Sequence, residues 1–552
     1  MTKYDTNWRV AAVVATLFAV ETFLFIDWIP DDAFICFRYA RNLADGLGPV
    51  FNLGERVEGA SNPLWTALLG LLTAAGLDTV KTAVTLSLVS SLLSVLLAFR
   101  LFDLVLAAAD SDGHRSAGLG CFLCHKTALA VGLIASLPMV FYATSGLETH
   151  AELVFLLLGT ILHLEARTGN DSRRYIASQC SFLAVALIRP EGVLFLILGA
   201  AFVVFGRLRG TGDGRRAAWV AVIIPLVIYL IFFSLKASYY GSVVPNTYLA
   251  KPGAGAGYLK PLWRGWTYIT RFFVVSGLVS ILPFCVIAFA DKSRRYTCVF
   301  LGSLVVAQLA FVVFVGGDVL RFDRFTVPFA PLLLAVALIG FVRLATAKPI
   351  RLRGFSMAAV VVCAALMAGL NGGRVQRVLN KACYHDWMHA QVHRRIGAYL
   401  REALPPDGSI VVNEVGAIAY ETGMITHDMI GLTDATVGRI LYESYRRYGV
   451  SGSEWSVPRI ADYLLSKQPN CVIIPSYSPI EPDVHEAVGR RMHPIWEGVF
   501  THPDMARHYR CGLSIRIHDR KYWHVYFRDG FQAANAPGDA RCMEVREYPE
   551  QR

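Results

Sequence analysis

Charged residues are scarce in this chain. Only 17% of its 552 residues are Asp, Glu, Lys or Arg, whereas ordinary soluble domains carry about 25%. Hydrophobic residues make up 54% of the sequence, and the mean hydropathy is +0.44. This balance excludes an ordinary soluble enzyme and predicts a protein that crosses a membrane several times.

Acidic residues are fewer than basic ones, which gives the chain a formal net charge of +11 at pH 7. Such a charge could indicate nucleic-acid binding, but the basic residues come in short clusters between apolar runs. Clusters of this kind mark the cytoplasmic loops of membrane proteins. The pattern therefore argues against nucleic acid as a partner and predicts a cytoplasmic amino terminus.

No small-residue cleavage site follows the first apolar run, so we expect a retained anchor rather than a signal peptide. Residues 64–75 are apolar but too short to span a bilayer, and we predict an interfacial helix there. Eleven runs are predicted to be transmembrane helices. They are residues 8–29, 80–106, 127–143, 150–165, 176–188, 193–206, 218–237, 270–290, 297–315, 326–343 and 354–371.

The long apolar runs stop at residue 371, and residues 372–552 have the composition of a soluble domain. Helical spacing over 391–403 and 460–466 alternates with short buried strands over 408–415 and 471–475. We therefore predict a C-terminal α/β domain, which an odd number of spans places on the extracytoplasmic side. Residues 1–371 form the predicted transmembrane domain, with a first outer loop over 30–79.

Two loops of this tail carry polar or glycine-rich segments. Gly416 is too isolated for a phosphate-binding loop, and its segment is interpreted as a turn. The segment from Gly431 to Asp434 is either a capped turn or a contact with an acceptor molecule.

Two adjacent carboxylates, Asp31 and Asp32, follow the first predicted span directly. An ionised carboxylate is costly inside hydrocarbon, so the pair marks the outer water boundary. Pro30 and the two acids predict the start of a helix, because negative side chains are favoured near its amide groups. Capping explains one acid better than two, since neighbouring like charges repel each other.

The helix that begins after Pro30 is predicted to be amphipathic. Helical spacing puts Phe34, Phe37, Ala40 and Arg41 on one face. We therefore expect this helix to lie on the membrane surface.

Polar motifs recur at the outer ends of the later spans. They are Ser145-Gly146-Leu147-Glu148-Thr149, Arg189-Pro190-Glu191-Gly192, Val244-Pro245-Asn246-Thr247-Tyr248-Leu249-Ala250-Lys251, and Gly316-Gly317-Asp318 with Arg321 and Arg324-Phe325. Each alone is compatible with a helix break, a turn or a flexible joint. Together with DDAFICFRYARNLADGLGPVFNLGERVEGASNPLW in the first loop, they resemble the motifs of GT-C membrane glycosyltransferases. The pattern is most similar to the branch that contains the mycobacterial terminal arabinofuranosyltransferases.

The resemblance implies a fold, an activity and a set of partners. GT-C enzymes take a sugar from a polyprenyl phosphate, so it implies transfer to a cell-envelope glycan, lipid or protein outside a bacterial plasma membrane. Direct displacement at the anomeric carbon predicts inversion, because no second carboxylate pair is identifiable for a covalent intermediate. The sugar stays open between arabinofuranose and a hexose.

Transfer needs a base for the acceptor hydroxyl and cations for the leaving phosphate. The resemblance assigns the base to the pair Asp31 and Asp32, with Asp31 the first choice. The expected phosphate-binding residues are Arg189, Lys251, Arg321 and Arg324. The expected substrate-binding residues are Arg38, Glu58, Asn62, Glu148, Glu191, Asn246, Tyr248 and Asp318.

No metal motif is recognisable among the eleven cysteines. Related enzymes sometimes bind a divalent metal at carboxylates, and Asp31, Asp32 and Asp318 could supply its oxygen ligands. The sequence therefore identifies no certain cofactor and leaves a divalent metal open.

A polytopic transporter or flippase of envelope substrates is the main alternative. It predicts an inverted repeat and broken helices near the bilayer midplane. No such repeat is found in the sequence, and the polar motifs converge on one side. A receptor is a weaker alternative, because eleven spans exceed what an anchor requires.

Overall fold

The computed structural model describes residues 8–107, 119–169, 171–207, 213–250, 259–347, 351–377, 383–476, 493–518, 521–531 and 543–544. Residues up to 377 form a helical part, called the membrane part below. Its helices are α1 (Trp8–Phe23), α2 (Asp31–Ala44), α3 (Pro63–Ala74), α4 (Thr79–Ala107), α5 (Leu119–Ile134), α6 (Leu137–Phe141), α7 (Thr149–Gly169), α8 (Ser172–Ile188), α9 (Gly192–Arg207), α10 (Asp213–Tyr240), α11 (Asn246–Leu249), α12 (Leu259–Val275), α13 (Leu282–Phe289), α14 (Arg295–Val315), α15 (Ala330–Thr346) and α16 (Arg351–Arg377). Short 3₁₀ helices lie at Leu278–Ile281 and Arg324–Thr326.

Each of the eleven predicted spans lies on one or two of these helices. Among the described residues, five helices are long and apolar enough to cross a membrane, namely α4, α7, α10, α14 and α16. A sixth span results if α12 and α13, which bend by 84° at their junction, are counted as one. Helices α1, α5, α8, α9 and α15 have 16 or 17 residues, fewer than the roughly 20 that span hydrocarbon. The number eleven therefore stays a prediction, whereas α3, with 12 residues, has the length expected of an interfacial helix.

The residues from 383 onward form a second unit, called the sheet domain below. Its helices are α17 (Cys383–Ala403), α18 (Ala417–Thr422), α19 (Ala435–Tyr448), α20 (Ser456–Ser466), α21 (Pro494–Phe500) and α22 (Pro503–His508). Its strands are β1 (Ser409–Val412), β2 (Ile425–Asp428), β3 (Cys471–Ser476), β4 (Tyr509–His518), β5 (Lys521–Arg528) and β6 (Met543–Glu544). The predicted helices and strands of the tail coincide with α17, β1, α20 and β3.

The strands form one mixed sheet in the order β2-β1-β3-β5-β4-β6. Strand β1 pairs in parallel with β2 and β3, whereas β5 runs antiparallel to β3 and β4. Successive side chains of a strand point to opposite faces. Ile410 and Val412 therefore pack in one core with α17 and α18, while Val411 packs in a second core with α19 and α20.

Helix α2 joins the two parts of the molecule. Phe34 and Phe37 belong to the core of the membrane part, whereas Ile35 and Tyr39 belong to the core of the sheet domain. All residues from 33 to 40 are buried. The prediction that this helix lies on the membrane surface is therefore corrected, because its apolar face packs in the core of the membrane part and the sheet domain covers the other face.

The two parts are in close contact at Gly416, in the loop before α18. A Cβ atom at this position would overlap the carbonyl oxygen of Asp31 and lie 2.7 Å from its carboxylate. The turn predicted around Gly416 is therefore a contact between the sheet domain and the start of α2, and only a residue without a side chain fits it.

Gly416→Ala should lower the thermal unfolding temperature of the detergent-solubilised protein, because the added methyl group forces the two parts to separate. Overpacking of this kind costs about 1–3 kcal/mol. Gly372→Ala in α16 is a matched control, since a Cβ there meets no neighbouring atom within 4 Å. Equal unfolding temperatures for the two variants, followed by tryptophan fluorescence, would contradict this close contact.

Candidate active site

A small cavity lies where the membrane part meets the sheet domain, and we call it the recess. Its volume is about 90 Å³, below the roughly 300–1,000 Å³ of pockets that enclose a small molecule. It therefore has room for the reacting groups of a substrate rather than for a whole one. It is lined by Asp32, Ile35, Cys36, Gly59, Ala60, Ser61, Asn62, Leu147, Glu148, Arg189, Thr247, Arg324, Phe325 and Leu432.

The two adjacent acids have different surroundings. Asp32 lines the recess. The carboxylate of Asp31 accepts hydrogen bonds from the backbone N–H groups of Gly416 at 2.7 Å and Ala417 at 2.8 Å. His393 Nδ1 lies 3.1 Å from the same carboxylate. Asp31 therefore connects α2 to the sheet domain, and Asp32 is the acid of the pair that reaches the cavity.

The environment of Asp31 also controls its protonation. Burial by itself would raise the pKa of Asp31, but the contacts with His393, Ala417 and Gly416 lower that pKa below its ordinary value. A carboxylate that is stabilised in its charged form and surrounded by donors is a weak base. This position suits a residue that holds two elements together.

Arg189 is the centre of a buried ionic network. Its guanidinium lies 2.6 Å from Glu148, 2.6 Å from Glu191 and 3.5 Å from Glu152. Asn62 donates a hydrogen bond of 2.8 Å to the second oxygen of Glu148. Burial would raise the pKa of Glu148, but Arg189 and Arg324 lower it below its ordinary value. Glu148 is therefore ionised and held in place.

A second guanidinium completes the recess. Arg324 Nε lies 2.9 Å from Asp318, whose side chain is 1% exposed. The guanidinium carbons of Arg324 and Arg189 lie 5.3 and 5.0 Å from the ring centre of Phe325. One aromatic ring therefore packs against both cations, and Arg324 forms an ion pair with one carboxylate where Arg189 forms ion pairs with three.

The backbone beside Arg324 is strained. Phe322 and Asp323 have φ angles of 67° and 59°, in the left-handed region that such residues rarely adopt. The Asp323 carboxylate is held by Arg271 at 3.1 Å and Arg374 at 2.6 Å. These ion pairs from α12 and α16 stabilise the turn that directs Arg324 towards the recess.

Of the predicted site residues, five line the recess: Asp32, Asn62, Glu148, Arg189 and Arg324. Glu191 and Asp318 stand behind them as partners of the two arginines. The side chain of Arg321 is exposed and is not part of the lining. Lys251 lies outside the described residues.

Two of the predicted substrate-binding residues connect the two parts of the protein instead. Arg38 donates to the carbonyl oxygens of Ala419 and Met424 at 2.7 Å each. Asn246 donates to the carbonyl oxygens of Gly431 and Leu432. Both side chains are buried in these contacts. The structure therefore assigns them to docking of the sheet domain rather than to the recess.

Two further predicted residues lie near the recess without lining it. Glu58 forms an ion pair with Lys236 at 2.9 Å. Tyr248 is half-buried on α11, beside Thr247, which does line the recess. The segment from Gly431 to Asp434 is a capped turn, because Asp434 accepts from the N–H groups at the start of α19.

Several recess residues were missed by the sequence analysis. Cys36 lies 3.2 Å from Thr66, which donates to Asn62. Burial raises the pKa of the Cys36 thiol to about 12, so this cysteine stays protonated and is not a nucleophile. Its position on α2, one turn after Asp32, is the signal that could have identified it. Leu432 belongs to the segment from Gly431 to Asp434, which the sequence offered as a possible acceptor contact, and it reaches the recess through docking of the sheet domain.

Within the described ranges, no three His, Cys, Asp or Glu side chains are arranged to hold a metal ion. Asp31 and Asp318, two of the proposed ligands, direct their oxygens to Gly416 and Ala417 and to Arg324. The suggested set of Asp31, Asp32 and Asp318 therefore does not form a metal site in this conformation.

Comparisons with known proteins agree with the resemblance noted in the sequence. The terminal β-(1→2)-arabinofuranosyltransferase of Mycobacterium tuberculosis is 33% identical over 275 residues, covering 48% of this chain and 40% of that protein. The protein of the same name from Corynebacterium glutamicum is 26% identical over 365 residues, covering 60% of this chain and 50% of that protein. The chain thus spans half or less of the curated relatives it matches. The predicted similarity to terminal arabinofuranosyltransferases is confirmed.

Two further comparisons concern the fold and the sheet domain. The crystal structure of ArnT from Cupriavidus metallidurans bound to undecaprenyl phosphate matches with a TM-score of 0.50 and 13% identity, over 94% of this chain and 98% of that one. The chain therefore shares the overall fold of the ArnT structure. A family model described as a domain of unknown function (DUF8728) matches residues 383–526.

The lowered pKa of Asp31 predicts a pH-dependent stability. The contribution of this carboxylate is complete above its ordinary pKa of 3.8 and is lost as the pH falls through the lower value of the folded state. Thermal unfolding from about pH 3 to pH 7 should show wild type more stable than Asp31→Asn by about 1–3 kcal/mol at neutral pH. The difference should shrink at the acid end.

Asp45→Asn, at the exposed end of the same helix, should behave like wild type throughout. If the difference in unfolding stability between wild type and Asp31→Asn stays constant with pH, this role of the carboxylate is contradicted.

Proposed function

We propose that this protein is an inverting glycosyltransferase that moves a sugar from a polyprenyl phosphate to an acceptor hydroxyl outside the plasma membrane. The observation that carries the proposal is the recess, in which the acid Asp32 shares a cavity with the guanidinium of Arg324. Acid and cation together meet the two needs of the reaction, a proton acceptor and a stabiliser of the leaving phosphate.

The relatives support the class of reaction and suggest the substrates. Both curated relatives are named as arabinofuranosyltransferases, and arabinofuranose is the sugar we propose first. The ArnT structure contains undecaprenyl phosphate, which supports a polyprenyl-phosphate donor. In the proposed topology the amino terminus is cytoplasmic and the sheet domain extracytoplasmic, so the recess opens where a lipid-borne sugar can meet an acceptor from the envelope.

In the proposed reaction, the acceptor oxygen attacks the anomeric carbon while its proton passes to the Asp32 carboxylate. The bond between the anomeric carbon and the phosphate oxygen breaks, and the phosphate leaves with the electron pair. Attack from the face opposite the phosphate inverts the configuration. Asp32 rather than Asp31 is the proposed base, because the Asp31 carboxylate is held by the sheet domain.

The arginines have unequal roles in this proposal. Arg324 is the first candidate for the leaving phosphate, since it forms a direct ion pair with only one carboxylate among the described residues and a guanidinium can donate two hydrogen bonds to phosphate oxygens. Arg189 has three carboxylate neighbours, and we assign it to holding Glu148 and the floor of the recess in place. Lys251, on the segment after α11, stays a candidate for the phosphate.

A transporter or flippase fits the site less well. Carriers place their substrate groups near the bilayer midplane between broken helices. Here the charged residues gather at helix ends and against the sheet domain. We therefore propose transfer chemistry rather than transport.

Asp32→Asn should lower the rate of sugar transfer by at least about a hundredfold, because the amide cannot accept the acceptor proton. The measurement is transfer by purified protein from a panel of polyprenyl-phosphate sugars, with arabinofuranose first, to an oligoarabinofuranoside. Asp45→Asn serves as the matched acid control. Wild-type rates in both Asp32→Asn and Asp31→Asn would refute this site.

Arg324→Gln should reduce kcat by about a hundredfold, since it removes charge stabilisation of the leaving phosphate. Arg324→Lys keeps the charge but loses the bidentate geometry, so its loss should be smaller. Both variants should retain the folded-state fluorescence of wild type. If Arg324→Gln alters only the KM for acceptor, the guanidinium contacts the acceptor and the phosphate assignment fails.

A further inference from the structure

A second, larger cavity lies beside the recess, and we call it the basic groove. Its volume is about 590 Å³, within the range of about 300–1,000 Å³ typical of ligand pockets. Among the described residues, Leu249 of α11 forms one wall and residues of α19 form the other. The lining residues are Leu249, Arg439, Tyr442, Glu443, Arg446 and Arg447.

The α19 residues of the groove occupy one face of that helix. Their positions, 439, 442, 443, 446 and 447, follow the spacing of three and four residues that aligns side chains along a helix. The opposite face, with Val437, Leu441 and Tyr445, is buried in the sheet domain. The polar face of a helix is usually in contact with solvent alone. The polar face of α19 instead lies opposite Leu249 of α11, across a cavity large enough for a ligand.

The charge of the groove is positive. Three arginines face one acid, and Glu443 lies 3.2 Å from Arg447. That pair leaves the groove with the net charge of Arg439 and Arg446. Lys260 of α12 lies near the end of α19, since its ammonium would lie 3.1 Å from a Cβ placed on Gly449. Guanidinium groups at this density favour phosphate or carboxylate ligands.

The groove and the recess are both bordered by α11. Thr247 lines the recess and Leu249 lines the groove, two residues apart on a single helical turn. Asn246 fixes this turn to the start of α19 by donating to the carbonyl oxygens of Gly431 and Asp434. Side chains two residues apart on a helix point about 200° apart, so the two cavities lie on different sides of this one turn.

We propose that the basic groove binds the acceptor and that the preferred acceptor is anionic, a glycan or glycolipid that carries phosphate or carboxylate groups. The recess is too small for an acceptor chain, whereas the groove has the necessary volume. Tyr442 offers a ring face and a hydroxyl to a sugar unit, while Arg439 and Arg446 bind its anionic substituents. This inference rests on the proposed function and names the acceptor class for it.

The test compares two acceptors with the full-length protein, an oligoarabinofuranoside and the same oligosaccharide carrying one phosphate monoester. Wild type should bind and use the phosphorylated acceptor with a KM about tenfold lower, as expected of charge-assisted hydrogen bonds. The double variant Arg439→Gln, Arg446→Gln should lose this preference, with its KM for the phosphorylated acceptor raised about tenfold to the value for the neutral one. Arg507→Gln, an exposed arginine on α22, is the control for loss of surface charge.

Direct binding measurements separate this inference from the proposed function. Asp32→Asn should bind the phosphorylated acceptor like wild type, although it cannot transfer the sugar. Equal KM values for the two acceptors in an active wild type would overturn the acceptor assignment alone. Selective binding without transfer from any donor would support the groove and refute the transferase.

An anionic lipid headgroup is the competing occupant, because Trp263 on the neighbouring α12 is 71% exposed, as is typical of side chains at a bilayer boundary. Vesicles containing phosphatidylglycerol distinguish the two. If the double variant binds these vesicles more weakly but keeps the wild-type acceptor preference, the groove contacts the membrane surface and the proposal fails.

Discussion

The contact between the Asp31 carboxylate and the sheet domain is the interaction on which the rest of the structure depends. Two backbone N–H groups and His393 surround this carboxylate, and together they offset the cost of burying its charge. With Asp31 fixed in this way, the start of α2 is held against α18. The neighbouring Asp32 then lies in a cavity that neither the membrane part nor the sheet domain forms alone.

The recess illustrates how a membrane protein keeps charges at a place from which water is largely excluded. An isolated ion would be costly there, so each arginine is matched by carboxylates, three for Arg189 and one for Arg324. The resulting network is rigid and cannot reorganise cheaply. Rigidity of this kind is useful in a transferase, since charges already in position stabilise a developing negative charge without first having to turn towards it.

Much of the fold could be predicted from the sequence. Hydropathy located the helices of the membrane part, and period-two and helical patterns located α17, β1, α20 and β3, because these signals arise from local spacing. Of the two buried faces of α2, the sequence predicted only one. Phe34 and Phe37 were recognised as an apolar face, but burial of Ile35 and Tyr39 depends on a domain more than 300 residues away in the chain. The contacts of Arg38 and Asn246 with the sheet domain could not be predicted for the same reason, since their partners are backbone carbonyl groups that have no signature in the sequence.

The two adjacent acids show most clearly what the local sequence can predict and what it cannot. The sequence determined that Asp31 and Asp32 stand at a membrane boundary, and that Arg189 and Arg324 belong to the same side, because charge is excluded from hydrocarbon wherever it occurs. Consecutive residues of a helix point about 100° apart, so the two carboxylates had to face different surroundings. Which of them meets the sheet domain and which meets the recess was decided only by the tertiary structure, because that choice depends on the elements that pack against each side of α2.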